Sequence, residues 1–180
     1  MNDKTAKIKV PFPSLEWADR YMQILNKSEE YEKAAKTWEG SLLLVVKAQG
    51  NLTKVDINVW LDLWHGKCRE YKFVYSQDQI EADFVFEGTE SKWVSLMEGS
   101  VDPIKGLMAG KFRLTGGNMT PIMRHVRAAQ LLVNALQAFE FDYLVTDGDP
   151  SKDAILEFYD ASGEKIMIMN QEKKEMEFLG

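Results

Sequence analysis

The segment Thr115–Gly116–Gly117–Asn118–Met119 joins a strand-like run to a helical one, the place from which backbone N–H groups can cradle a phosphate. It fits neither GxGxxG nor GxxxxGK followed by Ser or Thr, and no Lys or hydroxyl follows where a nucleotide would need one. A tight turn, with Asn118 or Thr120 capping the helix and Pro121 in its first turn, accounts for these residues better. Asp56 and Asp62, with Trp60, Trp64 and His65 nearby, suggest an acid or metal site, but they stand about 20 Å apart along a strand rising ~3.3 Å per residue. That is too far to share one ion or one proton, so a solvated or helix-covered sheet face is expected. His125 has no sequence-adjacent Cys, Ser or carboxylate to make a catalytic pair and is read as a surface or boundary histidine. Cys68 lies in the charged turn GKCRE, where Lys67 and Arg69 could lower its pKa; an ordinary exposed thiol is expected. No catalytic residue, metal ligand set or cofactor motif emerges.

Composition narrows the function classes. A formal net charge of -6, with basic residues taken as mixed with acidic ones throughout, disfavours a nucleic-acid surface and, likewise, an anionic membrane surface. A single cysteine offers neither a disulfide nor a paired-thiol metal site, which points to a reducing compartment. The N-terminal MNDKTAKIKVPFPS lacks the apolar core of a secretory signal, and no apolar run approaches bilayer length, so no transmembrane segment is expected and the cytoplasm is the expected location.

The elements that must position these residues follow from periodicity. Ser14 can cap a helix carrying Leu15, Ala18, Met22 and Leu25 at helical spacing. The charged continuation KSEEYEKAAKTWEG extends it toward Gly40, or forms a second helix after Asn26–Lys27, mostly solvated. Leu42–Val46 has no alternation and reads as a central strand covered on both faces. Val55, Ile57, Val59, Leu61 and Leu63 alternate with polar partners, as a strand with one core face requires. Short polar connections then lead into EYKFVYS and IEADFVFEG, giving a four-strand antiparallel meander. Trp93, Leu96 and Met97 mark a short helix closed by Gly99. Asp102 and Pro103 start another, with Ile104, Leu107 and Met108 apolar and Gly110 at its end. KFRLTG reads as a fifth strand.

One long helix is expected over Asn118–Phe139. Its polar stripe, Arg124, Arg127, Gln130, Asn134 and Gln137, is narrow, and the remaining arc is apolar enough to need cover from more than one direction. Beyond Asp142, TDGDPSKD is a loop, and ILEFYDASGEKIMIMN forms a hairpin around Ala161–Ser162–Gly163. Met97, Met108, Met119 and Met123 cluster in the region of these helices; a cavity for variable apolar ligands and ordinary core packing explain such a cluster equally well.

The run DPIKGLMAGKFRLTGGNMTPIMRHVRAAQLL, after a leading helix, a strand meander and two short helices, resembles the sterol carrier protein 2 (sterol-transfer) domain family. Asp102, Pro103, Leu107, Met108, Gly110, Lys111, Gly117 and Asn118 carry the likeness, which covers about residues 20 to 140. The doubled Gly116–Gly117 and Pro121 depart from the pattern. The resemblance implies an α+β fold: a five-stranded, mostly antiparallel sheet covered by helices, here with an additional C-terminal β-hairpin. It divides the chain into a lipid-binding domain at 1–140 and an extension at 141–180, for which capping the cavity, extending the sheet or serving a dimer all remain open. It also implies non-catalytic binding and transfer, without chemistry of its own, of a sterol, fatty acid, fatty acyl-CoA or other lipid in a tunnel of roughly 300–1,000 Å³ between sheet and helices. The expected lining is Phe84, Phe86, Trp93, Leu96, Met97, Ile104, Leu107, Met108, Phe112, Leu114, Met119, Ile122, Met123 and Val126. Two rivals stand beside this reading: an assembly module whose long helix and hairpin bury a homodimer or partner surface, and an enzyme using His125 or a carboxylate at a pocket mouth.

Overall fold

The computed structural model describes residues 6–179. Its centre is a five-stranded α+β sheet built from β2 (Glu39–Lys47), β3 (Ile57–Trp64), β4 (Lys67–Val74), β5 (Phe84–Thr89) and β6 (Arg113–Gly116), in the order β4-β3-β2-β5-β6. β2 is central, as its unbroken apolar run requires. A two-residue turn, His65–Gly66, joins β3 to β4; both residues take positive φ, and a Cβ on Gly66 would meet the Glu32 backbone at 2.6 Å.

The meander expectation fails after β4. β5 pairs parallel to β2, on the far side of the sheet from β4. Residues 75–83, an extended reach of up to ~30 Å, are long enough to return along the sheet and cross it. Asp83 then sets the register. Its carboxylate accepts from the backbone N–H of Ser41 (2.8 Å) and from its hydroxyl (3.2 Å), while its own N–H donates to that hydroxyl (3.0 Å). Local connection length alone does not reveal such a long-range clasp.

Helix α1 (Leu15–Lys27) is capped by Ser14, whose hydroxyl accepts from Trp17 N–H. Trp17, Ala18, Tyr21 and Leu25 form its buried face. α2 (Glu29–Ala34) is a separate short helix, capped by Ser28. The segment is mostly solvated, as expected, but Tyr31, Ala35 and Trp38 anchor it in the main core. α3 (Glu90–Met97) and α4 (Pro103–Met108) follow β5; Asp102 caps α4 through bonds to the N–H groups of Ile104 and Lys105.

The expected long helix is two helices, α5 (Met119–Arg124) and α6 (Val126–Leu136), broken at His125. Ahead of them β1 (Ile8–Phe12) pairs parallel with β7 (Phe139–Tyr143), closing the N-terminus onto the chain beyond α6. The expected C-terminal hairpin exists as β9 (Ile155–Tyr159) and β10 (Lys165–Asn170), but it is the middle of a four-stranded sheet completed by β8 (Val145–Asp147) and β11 (Glu175–Phe178). Its core of Leu144, Leu156, Phe158, Met167 and Met169 packs against Val55 and Tyr75. Phe178 meets Phe73 of β4 at 4.9 Å between ring centroids.

Candidate functional site

Between the inner face of the sheet and the helices lie three apolar chambers. β2 and β5 run in register, Leu42 beside Phe84 and Leu44 beside Phe86, so the even-numbered side chains of both strands share one face. Leu42, Leu44 and Phe86, with Leu61 from β3, floor the largest chamber. Trp93 and Leu96 of α3, Ile104 and Leu107 of α4, and Ile122 of α5 wall it, and Ala129, Leu132, Val133 and Leu136 of α6 close it above. Its volume is about 80 Å³.

A second chamber of about 40 Å³ extends toward Phe12, Trp17, Phe141 and Tyr143, sharing Leu44, Trp93 and Leu136 with the first. A third, also about 40 Å³, extends toward Tyr31, Trp38 and His125, sharing Leu42, Phe86, Ile122, Ala129 and Leu132. The chambers thus form one row, partitioned by side chains that belong to two neighbours at once. These volumes fall short of the 300–1,000 Å³ expected for a lipid tunnel, because the partitions fill the middle of the row.

Of the fourteen residues named as lining, Phe86, Trp93, Leu96, Ile104, Leu107, Phe112 and Ile122 surround the central chamber, and Met97 lies at the second. Phe84 is packed instead against Trp38, at 5.0 Å between centroids. Leu114, Met119 and Val126 pack on the main core and line none of the three chambers. Met108 and Met123 are corrections. They are 72% and 44% exposed, because Leu107 and Ile122, their sequence neighbours, take the inward positions on these short helices. Sequence reading missed Tyr21, Leu42, Leu44, Leu61, Ala129, Leu132, Val133 and Leu136 as lining. Alternation in β3 was the signal for Leu61 and the wide apolar arc of α6 for its four residues, whereas the unbroken apolar run of β2 gave none for Leu42 and Leu44.

The polar groups around the chambers are mostly satisfied within the protein. Tyr21 Oη donates to the Leu132 carbonyl (2.7 Å), tying α1 to α6. Trp93 Nε1 donates to the Val45 carbonyl (2.9 Å). Glu90, only 2% exposed, accepts from the N–H groups of Asn51, Leu52 and Thr53 and from the Thr53 hydroxyl, at 2.9 to 3.1 Å. Burial alone would raise its pKa, but these donors outweigh burial and hold the carboxyl below its ordinary range. Tyr143 is pushed up to about 12 by burial and by the nearby Glu90 and Glu98. Trp17 differs: its indole N–H is buried without a partner among the described residues.

The other candidates resolve differently. Asn118 Oδ1 accepts from Thr120 N–H, capping α5, and a Cβ on Gly117 would lie 2.5 Å from the Asp83 carbonyl. The doubled glycine therefore permits β6 to close onto the start of β5, and no phosphate is needed to explain it. Asp56 pairs with Lys47 and Asp62 with Arg69. Cys68 is 2% exposed, contrary to the exposed thiol expected, and burial pushes its thiol up to about 12. Its turn is flanked by charge, but its side chain points into the Tyr21–Tyr31 side of the core. Among the described residues no three His, Cys, Asp or Glu gather in a metal-binding group.

The family described as the SCP-2 sterol transfer family matches residues 21–130, from within α1 to the first half of α6. Among solved structures, the crystal structure of sterol carrier protein 2 is 40% identical, with a TM-score of 0.63, over 69% of this chain and 96% of its own. The solution structure of a conserved hypothetical protein from Thermus thermophilus is 36% identical, with a TM-score of 0.67, over 75% of this chain and 96% of its own. No curated protein sequence matches the chain significantly.

Proposed function

The chain belongs to the SCP-2 sterol transfer family, and on that premise we propose that it binds an apolar lipid in the row of chambers, without chemistry of its own. The ligand class is a fatty acid, fatty acyl-CoA, sterol or similar lipid. The supporting observation is that three chambers share their walls in sequence, with aliphatic and aromatic side chains on nearly every side. Rotation of the shared side chains joins the chambers into a channel of the kind a single acyl chain or a ring system fills. Enclosing about sixteen methylenes at ~0.8 kcal/mol each supplies roughly 13 kcal/mol, which after an association cost of about 4–5 kcal/mol leaves the ~8 kcal/mol of micromolar binding. The unpartnered Trp17 N–H at the second chamber favours a ligand with an acceptor oxygen at that end, since a buried donor without a partner is costly. In this reading residues 1–140 are the carrier domain and 141–180 an extension seated on it, in the reducing cytoplasm, where the lone buried Cys68 stays a thiol. No helix among the described residues is long and apolar enough to cross a membrane.

Native mass spectrometry of the purified protein, followed by lipid identification, tests the proposal. A co-purifying lipid, or displacement of a fluorescent fatty acid or sterol at micromolar concentration, supports it. Ala129→Trp, which fills the partition between the first and third chambers, is expected to weaken probe binding by at least tenfold with the fold intact by circular dichroism. An empty protein that binds neither probe overturns the reading.

A further inference from the structure

We propose that the second chamber is a head-group subsite that takes an uncharged oxygen, the hydroxyl of a sterol or long-chain alcohol or the carbonyl of an ester, and rejects a carboxylate. This deepens the lipid-carrier reading and rests on it. Three side chains carry the inference. Trp17 lines the chamber, is 3% exposed, and its indole N–H has no acceptor. Buried polar atoms without a partner among the described residues also occur on Asn58 and Trp60, but only Trp17 belongs to a chamber wall. Tyr143 lines the same chamber, and its hydroxyl, unlike those of Tyr21, Tyr71 and Tyr159, has no acceptor among the described residues. Burial and the nearby Glu90 and Glu98 keep that hydroxyl protonated, so it donates. The third side chain, Glu90, is ionised, its charge held by the N–H groups of residues 51–53 rather than by a cation. No Lys, Arg or His lines the chamber among the described residues. A carboxylate brought in would sit beside the Glu90 charge with no cation to pair with, whereas a neutral oxygen accepts from the same two donors without that repulsion.

The subsite is built largely from segments outside the family match at 21–130: Phe12 and Trp17 precede that range, and Phe141 and Tyr143 follow it. The parallel pairing of β1 with β7 brings them together, setting Phe12 beside Tyr143 in register. Phe12 then packs edge-on against Trp17 at 5.1 Å and against Phe141 at 5.4 Å between ring centroids. The polar end of a ligand held here leaves its tail to run past Leu44, Trp93 and Leu136, the walls shared with the central chamber. Tyr143 also borders a solvent-open depression of about 260 Å³ that has Lys54 among its walls. A carboxylate kept out of the chamber has that lysine as its alternative partner.

Displacement of a fluorescent sterol from the full chain at pH 7 tests it, with hexadecanol, methyl hexadecanoate, hexadecanoate and hexadecane as competitors. In the parent, hexadecanol and the methyl ester are expected to displace the sterol at concentrations at least about tenfold lower than hexadecanoate. Trp17→Phe and Tyr143→Phe each keep a ring and remove one donor, and each is expected to weaken hexadecanol about three- to tenfold relative to hexadecane. A general loosening of the fold weakens both competitors and leaves that ratio alone. Glu90→Gln, measured well below its melting temperature, is expected to narrow the gap between hexadecanoate and hexadecanol at least about fivefold. Unchanged ratios in the Trp17 and Tyr143 variants, or no narrowing in Glu90→Gln, overturn the subsite. Hexadecanoate displacing the sterol as well as hexadecanol does in the parent overturns it too; if that affinity falls in Lys54→Gln, the head lies in the outer depression. Each of these results comes with sterol bound and leaves the chamber reading standing, whereas a protein that binds neither the sterol nor a fluorescent fatty acid overturns the chamber reading and the subsite with it.

Discussion

The ring Nδ1 of His125 lies 2.8 Å from the carbonyl oxygen of Pro121, the acceptor that the backbone N–H of His125 would use in an unbroken helix. That N–H turns instead to the Ile122 carbonyl at 2.9 Å. The side chain has replaced its own backbone as donor, which is how α5 can stop and α6 start without leaving the Pro121 carbonyl unpaired. The ring also packs edge-on to Trp38, at 5.1 Å, so the break is fixed against the far end of the chamber row.

Because a carbonyl only accepts, Nδ1 carries the proton, and in the neutral ring Nε2 accepts from Thr37 Oγ1 at 3.0 Å. Nitrogen-15 correlation spectra of the neutral imidazole are expected to show the Nδ1–H tautomer for His125. His125→Asn, whose amide can donate to the same carbonyl, should nearly preserve stability. His125→Leu should cost about 1–3 kcal/mol for the unpaired carbonyl, a fall of roughly 2–4 °C in melting temperature for each of those kcal/mol. Equal stability of the Asn and Leu variants would sink this account of the break.

Glu90 joins the first residue of α3 to the turn at 51–53, so a wall of the chambers hangs on one buried carboxylate. Glu90→Gln sets an amide N–H₂ against backbone donors and is expected to destabilise the protein by about 1–3 kcal/mol at neutral pH. The folded-state pKa of Glu90 is lowered, so its contribution is fully present above the unfolded value and is lost as pH falls through the folded one. Thermal melts from pH 7 down to pH 3 should therefore show the gap between parent and variant narrowing below about pH 4. A gap that widens toward acid would contradict the assignment.

Much of this site could be read from local patterns; what could not depends on contacts distant in sequence, on gaps that a pattern does not record, or on elements too short to carry a period. Ser14 and the Asp102–Pro103 pair announced their helices because a cap is a local device. Alternation in Ile57–Leu63 identified a core-facing side, but alternation cannot tell a side chain that touches a neighbour from one that faces a gap, so Leu42, Leu44 and Leu61 passed as ordinary core. The pairing of β1 with β7 joins Ile8 to Phe139, and β1 contains Pro11, which masks it as a strand. The same holds for β5, whose place beside β2 depends on Asp83 meeting Ser41 from 42 residues away. On the six-residue helix α4, too few positions exist for a period to decide between Leu107 and Met108.

Cys68 reports on the packing of α1 over β4. Asn26 holds its backbone from both sides, accepting from Cys68 N–H at 2.7 Å and donating to its carbonyl at 2.9 Å. With the thiol buried and pushed up to about 12, almost no thiolate exists at pH 8. Ellman's reagent at pH 8 is expected to react with the native protein far more slowly than with the protein in denaturant. Comparable rates in the two states would show that the α1–β4 seam opens readily.

Leu42 is the partition most exposed to a direct test, being 6% exposed to solvent while bordering both the first and third chambers. Leu42→Ala removes that partition and leaves a larger cavity, at an expected cost of about 2–5 kcal/mol, toward the lower end because the site is already under-packed. If the row accepts an acyl chain by displacing its partitions, the variant no longer has to move this one, so fluorescent fatty acid should bind it at least as tightly as it binds the parent. Binding should also restore part of the lost melting temperature, since a ligand held only by the folded state stabilises it in proportion to its saturation. Leu42→Phe keeps the site apolar but closes it, and is expected to weaken the same probe. If both variants bind the probe as the parent does, the ligand does not pass this point, and the partitions are structural.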